Sequence, residues 1–309
     1  MGMQTLGSRA IIGSFYHALE QNAATSWVDP LSMRFQSDME TESYRWLGQS
    51  PMMREWIGGR LAKGLREDGI SITNKTFEAT LEIPVDWIRR DKTGQIMVRV
   101  NELARRTNAH WASLLSTLII AGEAAVCYDG EYFFDTDHVE GDSGTQSNDV
   151  SYDAAVITAP TVSEAQAIVL LGIQTMLGFK DDQGQPMNED ARAFTVMVPV
   201  PYMSAFGSAL KAQVISDSSN LIQAIGSLSG FSVNLAVNPR LTWTTKCAVF
   251  RADGDVAPFI RQEEQPVSIA AIAEGSELEF TDNVHQYGVK AIRNVGYGYW
   301  QKACLVTLT

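Results

Sequence analysis

The sequence predicts a mixed α+β chain with long connections and a β-hairpin arm that projects from its N-terminal third. Three observations predict it. The second half of residues 54–83 alternates as a strand does, with Phe77, Ala79, Leu81 and Ile83 on one face and Glu78, Thr80 and Glu82 on the other. Asp68-Gly69 is a tight-turn pair, and Gly58, Gly59 and Gly64 loosen the opposing arm, so residues 54–83 read as a hairpin with a charged, glycine-rich tip. Helix-period and strand-period segments then interleave to the end of the chain without an internal repeat. A two-stranded ribbon is marginal alone in water, so this arm is expected to lie on a neighbouring subunit. Lys63, Arg66, Glu67 and Asp68 at its tip are the residues expected to make polar contacts there.

The elements follow in order. In residues 1–53, Ile12, Phe15 and Leu19 fall at helical spacing, after which the periodicity fades. Trp27, Phe35, Tyr44 and Trp46 then stand among polar residues, too large to leave exposed and too poorly patterned to build a local core. This leader is expected to be an arm, with those four side chains buried against other subunits or the hairpin. Further on, Trp111, Leu114, Leu115, Leu118 and Ala121 mark a long helix, with Asn108 as its N-cap and Gly122 as its stop. Thr161 and Glu164 form a capping box ahead of a helix lined by Ile168, Val169, Met176 and Leu177. Residues 194–200 read as a buried strand, and Pro201 opens a helix running to about Ile215. Residues 232–237 and 247–251 read as strands, and residues 287–308 as strand material interrupted at Gly296 and Gly298.

Composition bounds the function. The 309 residues are 45% hydrophobic, enough to fill a real core. No apolar run approaches the ~18 residues of a membrane span, so no membrane partner is expected. The N-terminus lacks a basic start followed by an apolar stretch and a small-residue cleavage site, so no secretory signal is expected. Cys127, Cys247 and Cys304 are scattered among apolar residues and read as buried, reduced thiols. Residues 127–190 hold 13 acidic side chains and one basic side chain, Lys180, while the flanks balance at 14 against 14 and 9 against 9. The net charge of −12 therefore sits in that middle segment, which is expected to be mostly solvent-facing and to repel nucleic acid. Neither flank carries the basic stripe that sequence-specific DNA binding needs.

Asp135, Asp137 and His138 are the one cluster with metal-ligand chemistry, and they support an alternative reading as a metal-dependent hydrolase. They lie in one acidic loop, however, without an H-x-x-x-H or H-E-x-x-H partner, whereas a working site draws ligands and their supports from separate elements. No G-x-S-x-G, Walker or dinucleotide-binding pattern occurs. No catalytic residue, metal or cofactor is expected.

Six strings carry a resemblance: SPMMREWIGGR (50–60), ITNKTFEATLEIPVD (72–86), YDGEYFFDTDHVEGDSGTQSN (128–148), LGFKDDQGQP (177–186), VNPRL (237–241) and YGVKAIRNVGYGYWQKA (287–303). In this order they resemble the major head subunits of Mu-like tailed bacteriophages. The resemblance implies the Hong Kong ninety-seven-type phage capsid fold. Its N-terminal arm would be residues 1–53 and its extended loop 54–83. Its peripheral domain, with a spine helix, would take 84–150 and 256–309, and its axial domain 151–255. It also implies self-assembly into hexamers and pentamers of an icosahedral head around double-stranded DNA held without sequence-specific contacts. Portal, scaffold or protease, and head-completion proteins are the further partners it implies. An encapsulin-like cargo shell shares the fold and is the second alternative.

Overall fold

The computed structural model describes residues 7–21, 25–45, 69–90, 94–215 and 218–309. The first half runs through α1 (Ser8–Gln21), β1 (Ser32–Gln36), β2 (Thr41–Arg45), β3 (Gly69–Thr73), β4 (Lys75–Pro84), α2 (Val85–Arg90), α3 (Gln95–Asn108) and α4 (His110–Ile120). The acidic middle contributes β5 (His138–Val139), β6 (Thr145–Gln146), β7 (Asp149–Tyr152) and α5 (Val162–Leu177). Then come β8 (Ala193–Val198), α6 (Met203–Lys211), β9 (Val214–Ile215), β10 (Ser218–Ser219), α7 (Leu221–Ser229), β11 (Ser232–Val237) and β12 (Lys246–Arg251). The chain ends with β13 (Phe259–Ile272), α8 (Glu277–Asp282), β14 (Val284–Tyr297) and β15 (Ala303–Leu308). Among the described residues no helix is long and apolar enough to cross a membrane.

Two sheets organise these elements. The first has the order β1-β13-β14-β4, with β1 parallel to β13 and the other pairs antiparallel. The register of β13 on β14 shifts on either side of Gln265, next to Pro266, which has no N–H to give to the ladder. α1 and α3 pack together over this sheet: Ile11, Phe15 and Ala18 meet Ile96, Val100 and Ala104, with Ile83, Tyr287 and Val289 beneath. The second sheet has the order β11-β8-β12-β15-β7. It draws strands from both sides of β13 and β14, because β15 returns to pair with β12 and β7. α5 lies on it so closely that a Cβ at Gly172 would stand 2.6 Å from Val249 Cγ2. The large core, from Trp27 through Leu115, Ile168 and Phe250 to Trp300, is built around this sheet.

Several expectations meet the structure directly. The capping box holds: Thr161 Oγ1 accepts from the Glu164 N–H, and Glu164 accepts from the Thr161 N–H. The strands expected at 194–200, 232–237 and 247–251 form as Ala193–Val198, Ser232–Val237 and Lys246–Arg251. The three cysteines are free and buried, and burial pushes their thiols up. Asn108 is a correction. It ends α3 and donates through Nδ2 to Leu19 O at 2.7 Å, and α4 begins one residue past Ala109 with no side-chain cap. Gly122 lies beyond the helix in a 3₁₀ turn, where a Cβ would stand 2.6 Å from the Phe134 ring. After Pro201 the helix stops at Lys211, short of Ile215.

The hairpin is the largest correction. The alternation of Phe77, Ala79, Leu81 and Ile83 is real, but the strand that pairs with β4 along its whole length is β14. Gly69 opens β3, opposite Arg45, so it is no turn residue. The hairpin that does form is β2 with β3, closed by residues 46–68, which lie outside the described residues. β3 and β4 are one extended run that changes sheets at Asn74. There the Asn74 N–H donates to Glu40 O at 2.8 Å and its Nδ2 to Met39 O at 2.8 Å. A strand pattern identifies the strand but not its partner, and that choice was made by β14, about 200 residues away.

Candidate subunit interface

The base of the β2/β3 hairpin is fastened to the four-stranded sheet by polar contacts that range from buried to exposed. Tyr44 Oη donates to Gln262 Oε1 at 2.8 Å, and Gln262 Nε2 donates to Ile72 O at 3.1 Å. Asn294 Nδ2 donates to Thr73 O at 2.6 Å. Gly296 leaves room for Ile72, whose Cδ1 would lie 2.4 Å from a Cβ there. The Tyr44 phenol is pushed up to about 12, first by burial and then by Glu42. Its ring lies 5.2 Å from that of Phe35, which is 39% exposed. Phe35 and Tyr44 thus form one partly exposed aromatic pair beside the hairpin. Trp46, Lys63, Arg66, Glu67 and Asp68 lie outside the described residues.

Trp27 differs from Phe35 and Tyr44. It is 5% exposed within its own chain, packed with Val28 and Leu31 into the large core. Asp29 pins the following turn to the second half of the chain through Arg261 Nη2 at 2.7 Å. The expectation that Trp27 is buried against other subunits is therefore overturned. The residues around it lack helical or strand periodicity because a turn and a parallel edge strand carry them into the core.

The acidic loop divides its ligand-type residues. The His138 ring stacks on Trp300 at 4.0 Å between centroids and 8° between planes, fully buried, with Nδ1 2.6 Å from Asp129 Oδ2. Asp135 accepts from the Tyr132 and Thr136 N–H groups, turning the loop. Glu131, Asp135 and Asp137 bring carboxylate oxygens within 4.8 Å of one another at the surface. The Asp137 carboxyl is raised, first by a hydrogen bond with Asp135. His138, committed to Asp129 and sealed by Trp300, does not join Asp135 and Asp137, so the triad of the hydrolase reading is not assembled. The acidic segment is mostly open to solvent, as expected, and its buried carboxylates are partnered. Glu140, Asp181 and the side chain of Asp129 are the covered exceptions: Asp129 holds His138, Glu140 accepts from Tyr128, and Asp181 accepts from the Gln183 and Gln185 N–H groups.

Two exposed aromatics were not singled out in the sequence. Trp87, on α2, is 66% exposed, and Phe280, on α8, is 91% exposed. Both sit at one end of the four-stranded sheet, where Pro84 pairs with Val284 and the Val85 N–H donates to Asn283 O at 2.9 Å. The signal was present as a lone Phe inside the acidic run Glu-Leu-Glu-Phe-Thr-Asp.

The family signature of the Mu-like prophage major head subunit gpT matches residues 8–160 and 245–308, which carry most of both sheets. The chain belongs to this family. It is 36% identical over 135 residues to the Mu-like prophage FluMu major head subunit of Haemophilus influenzae, an alignment covering 44% of each protein. It is 34% identical over 115 residues to the major capsid protein of Escherichia phage Mu, covering 37% of this chain and 38% of that one. The chain thus aligns with less than half the length of these curated relatives. In overall fold it is similar to a subunit of the bacteriophage JBD30 procapsid, with a TM-score of 0.58 and 24% identity, over 99% of this chain and 76% of that one. It is also similar to the virus-like particle from Pyrococcus furiosus, with a TM-score of 0.54 and 7% identity, over 96% and 98% of the two chains. At such identities these likenesses show the fold alone. That fold is the α+β architecture of phage and related capsid subunits.

Proposed function

We propose that this chain is the major capsid protein of a Mu-like phage head, a structural shell subunit with no catalytic role. The observation that carries it is the whole-chain likeness to a procapsid subunit in a member of a head-subunit family. On this reading the fold is of the Hong Kong ninety-seven type. The four-stranded sheet with α3 and α4 corresponds to the peripheral domain and its spine. The five-stranded sheet with α5, α6 and α7 corresponds to the axial domain. Residues 46–68, on the β2/β3 base, correspond to the tip of the extended loop, and Lys63, Arg66, Glu67 and Asp68 there contact a neighbouring copy. Phe35, Tyr44 and Trp46 are the leader residues with an interface role. Copies assemble into hexamers and pentamers of an icosahedral virion head. The head encloses double-stranded DNA without sequence-specific contacts and works with portal, scaffold or protease, and head-completion proteins.

The purified chain, expressed alone and imaged by negative stain after sedimentation, is expected to yield capsomers or closed shells of regular size. A small soluble oligomer under all assembly conditions overturns the reading. Replacing residues 61–69 by Asn-Gly is expected to leave a folded subunit that closes no regular shell, because the arm supplies register between copies. Normal, stable shells from that variant remove the extended loop from the assembly mechanism.

A further inference from the structure

At the shared end of β4 and β14 the molecule presents two complementary features. One is a knob. α8 buries none of its residues, and Phe280 stands 91% exposed on it, flanked by the exposed carboxylates of Glu277 and Asp282. Its conformation is held from within: Ser276 caps the helix by accepting from the Glu279 N–H, and Glu279 Oε2 accepts from the Gly275 N–H at 2.6 Å. The other feature is a groove of about 590 Å³ between β4 and the helices α2 and α3. Its apolar part is Leu81, Ile83, Ile96 and the exposed Trp87, and its rim carries Arg90 and Arg99. The groove's described carboxylate, Glu82, already accepts from Gln286 Nε2 at 2.8 Å.

The knob is acidic around an aromatic, and the groove sets two arginines around an aromatic, Arg90 and the Glu102-paired Arg99 (2.7 Å), against the carboxylate of Glu82. A single exposed aromatic is ordinary on a protein surface; what sets Phe280 apart is the aromatic-lined groove at the same end of the sheet. Phe280 does not fill its own chain's groove although both lie at the same end of the sheet, since it remains 91% exposed. We infer that α8 docks Phe280 into the Trp87–Arg90–Arg99 groove of a second copy of this chain. A second copy is the occupant because each chain carries both halves with opposite charge. A head-to-tail contact of this kind repeats around a ring. The buried aromatic supplies the anchor, and the flanking charges set orientation and exclude wrong partners. The inference rests on the shell reading proposed above.

The test uses the full chain under conditions in which the wild type assembles. Phe280→Ser and Glu277→Arg are each expected to lower the yield of closed particles by at least about tenfold, the factor that roughly 1.4 kcal/mol per contact produces. Arg90→Glu is expected to do the same, and the Glu277→Arg/Arg90→Glu pair is expected to recover particles. Circular dichroism and urea midpoints of the dissociated subunits, expected to match the wild type, separate an assembly defect from misfolding. Mixed particles built from a Glu277→Cys variant and an Arg90→Cys variant are expected to give a disulfide-linked dimer on mild oxidation, and particles of either variant alone are not. If the wild type forms shells while all three single variants assemble normally and the mixture gives no linked dimer, the docking is wrong and the shell reading stands. If the wild type forms no particles, both fall.

Discussion

The two sheets bury themselves in different ways. In the five-stranded sheet β8 is buried from Phe194 to Val198 and β12 from Cys247 to Arg251, with no alternation, because both faces are covered within the chain. In the four-stranded sheet β4 alternates between exposed and half-buried residues, and β13 is buried only from Phe259 to Glu263 before its remaining length opens outward. The inner strands of one sheet are sealed within a single chain. The other is covered on one face by α1 and α3, and its far end carries Trp87 and Phe280 in the open. The contrast teaches where a lone subunit gets its stability and where its unfinished surface lies. Substitutions in the first should be read in folding, and substitutions at the end of the second in assembly.

The largest expected effects test that division. Trp27→Ala and Phe250→Ala, both at buried positions of the large core, should each destabilise the isolated subunit by about 3–5 kcal/mol. Trp87→Ala and Phe280→Ala should change it by no more than about 0.5 kcal/mol, the range for exposed positions. Urea unfolding of dissociated subunits measures all four. A Trp27→Ala subunit as stable as the wild type would return that residue to a neighbour's surface and erase the distinction drawn here.

A smaller effect concerns how the hairpin is tied to the four-stranded sheet. Gly296→Val would drive a branched side chain into Ile72, where even a Cβ stands 2.4 Å from Cδ1 and 2.7 Å from Cγ1. The expected cost is about 1–3 kcal/mol of overpacking. Its signature should be local. Amide exchange should quicken in Thr41–Arg45 and Gly69–Thr73 before it does in β8 or β12, since the hairpin can lift away while the five-stranded sheet stays closed. Uniform acceleration across both sheets would show that the hairpin base is part of the global core.

The same contrast explains what could be read from the residues. Strands of the sealed sheet announce themselves, since AFTVMV and KCAVFR are short apolar runs that only a doubly covered strand explains. The capping box at Thr161 was legible because both its partners lie within four residues. β13 was not, because FIRQEEQPVSIAAI mixes charge, amide and proline in a strand bent at a bulge and half open to solvent. The hairpin went wrong for a related reason: β4 reads as a strand on its own pattern, but its partner lies far along the chain. Trp27 looked like an arm residue because its burial depends on non-local contacts with no periodicity to show for them. The Phe280 knob and the Trp87 groove come together only when β4 and β14 pair.

The smallest expected effect is a pair of opposed pH responses, one beside each sheet. His110 opens α4 against the four-stranded sheet, its ring 4.4 Å from that of Phe77, and is lowered from 6.5 to about 4, by burial first and then by Arg293 and Arg240. The unfolded chain binds that proton more readily, so stability is lost as pH falls from 6.5 through about 4. Asp149, on the edge strand β7, is raised from 3.8 to about 6, by burial first and then by Glu123, with Asp135 adding and Lys246 opposing. Here the native state binds the proton more readily, so a cost present above about 6 is relieved as pH falls toward 3.8. The two slopes oppose each other over nearly the same window. Asp149→Asn should therefore steepen the loss of stability on acidification relative to the wild type, and His110→Gln should flatten it. Urea midpoints of the dissociated subunit across this window, taken as differences from the wild type, cancel the titration of the other carboxylates. Identical pH profiles for the wild type and Asp149→Asn would place that carboxyl at its ordinary value and leave the edge of the sealed sheet wetter than its neighbours imply.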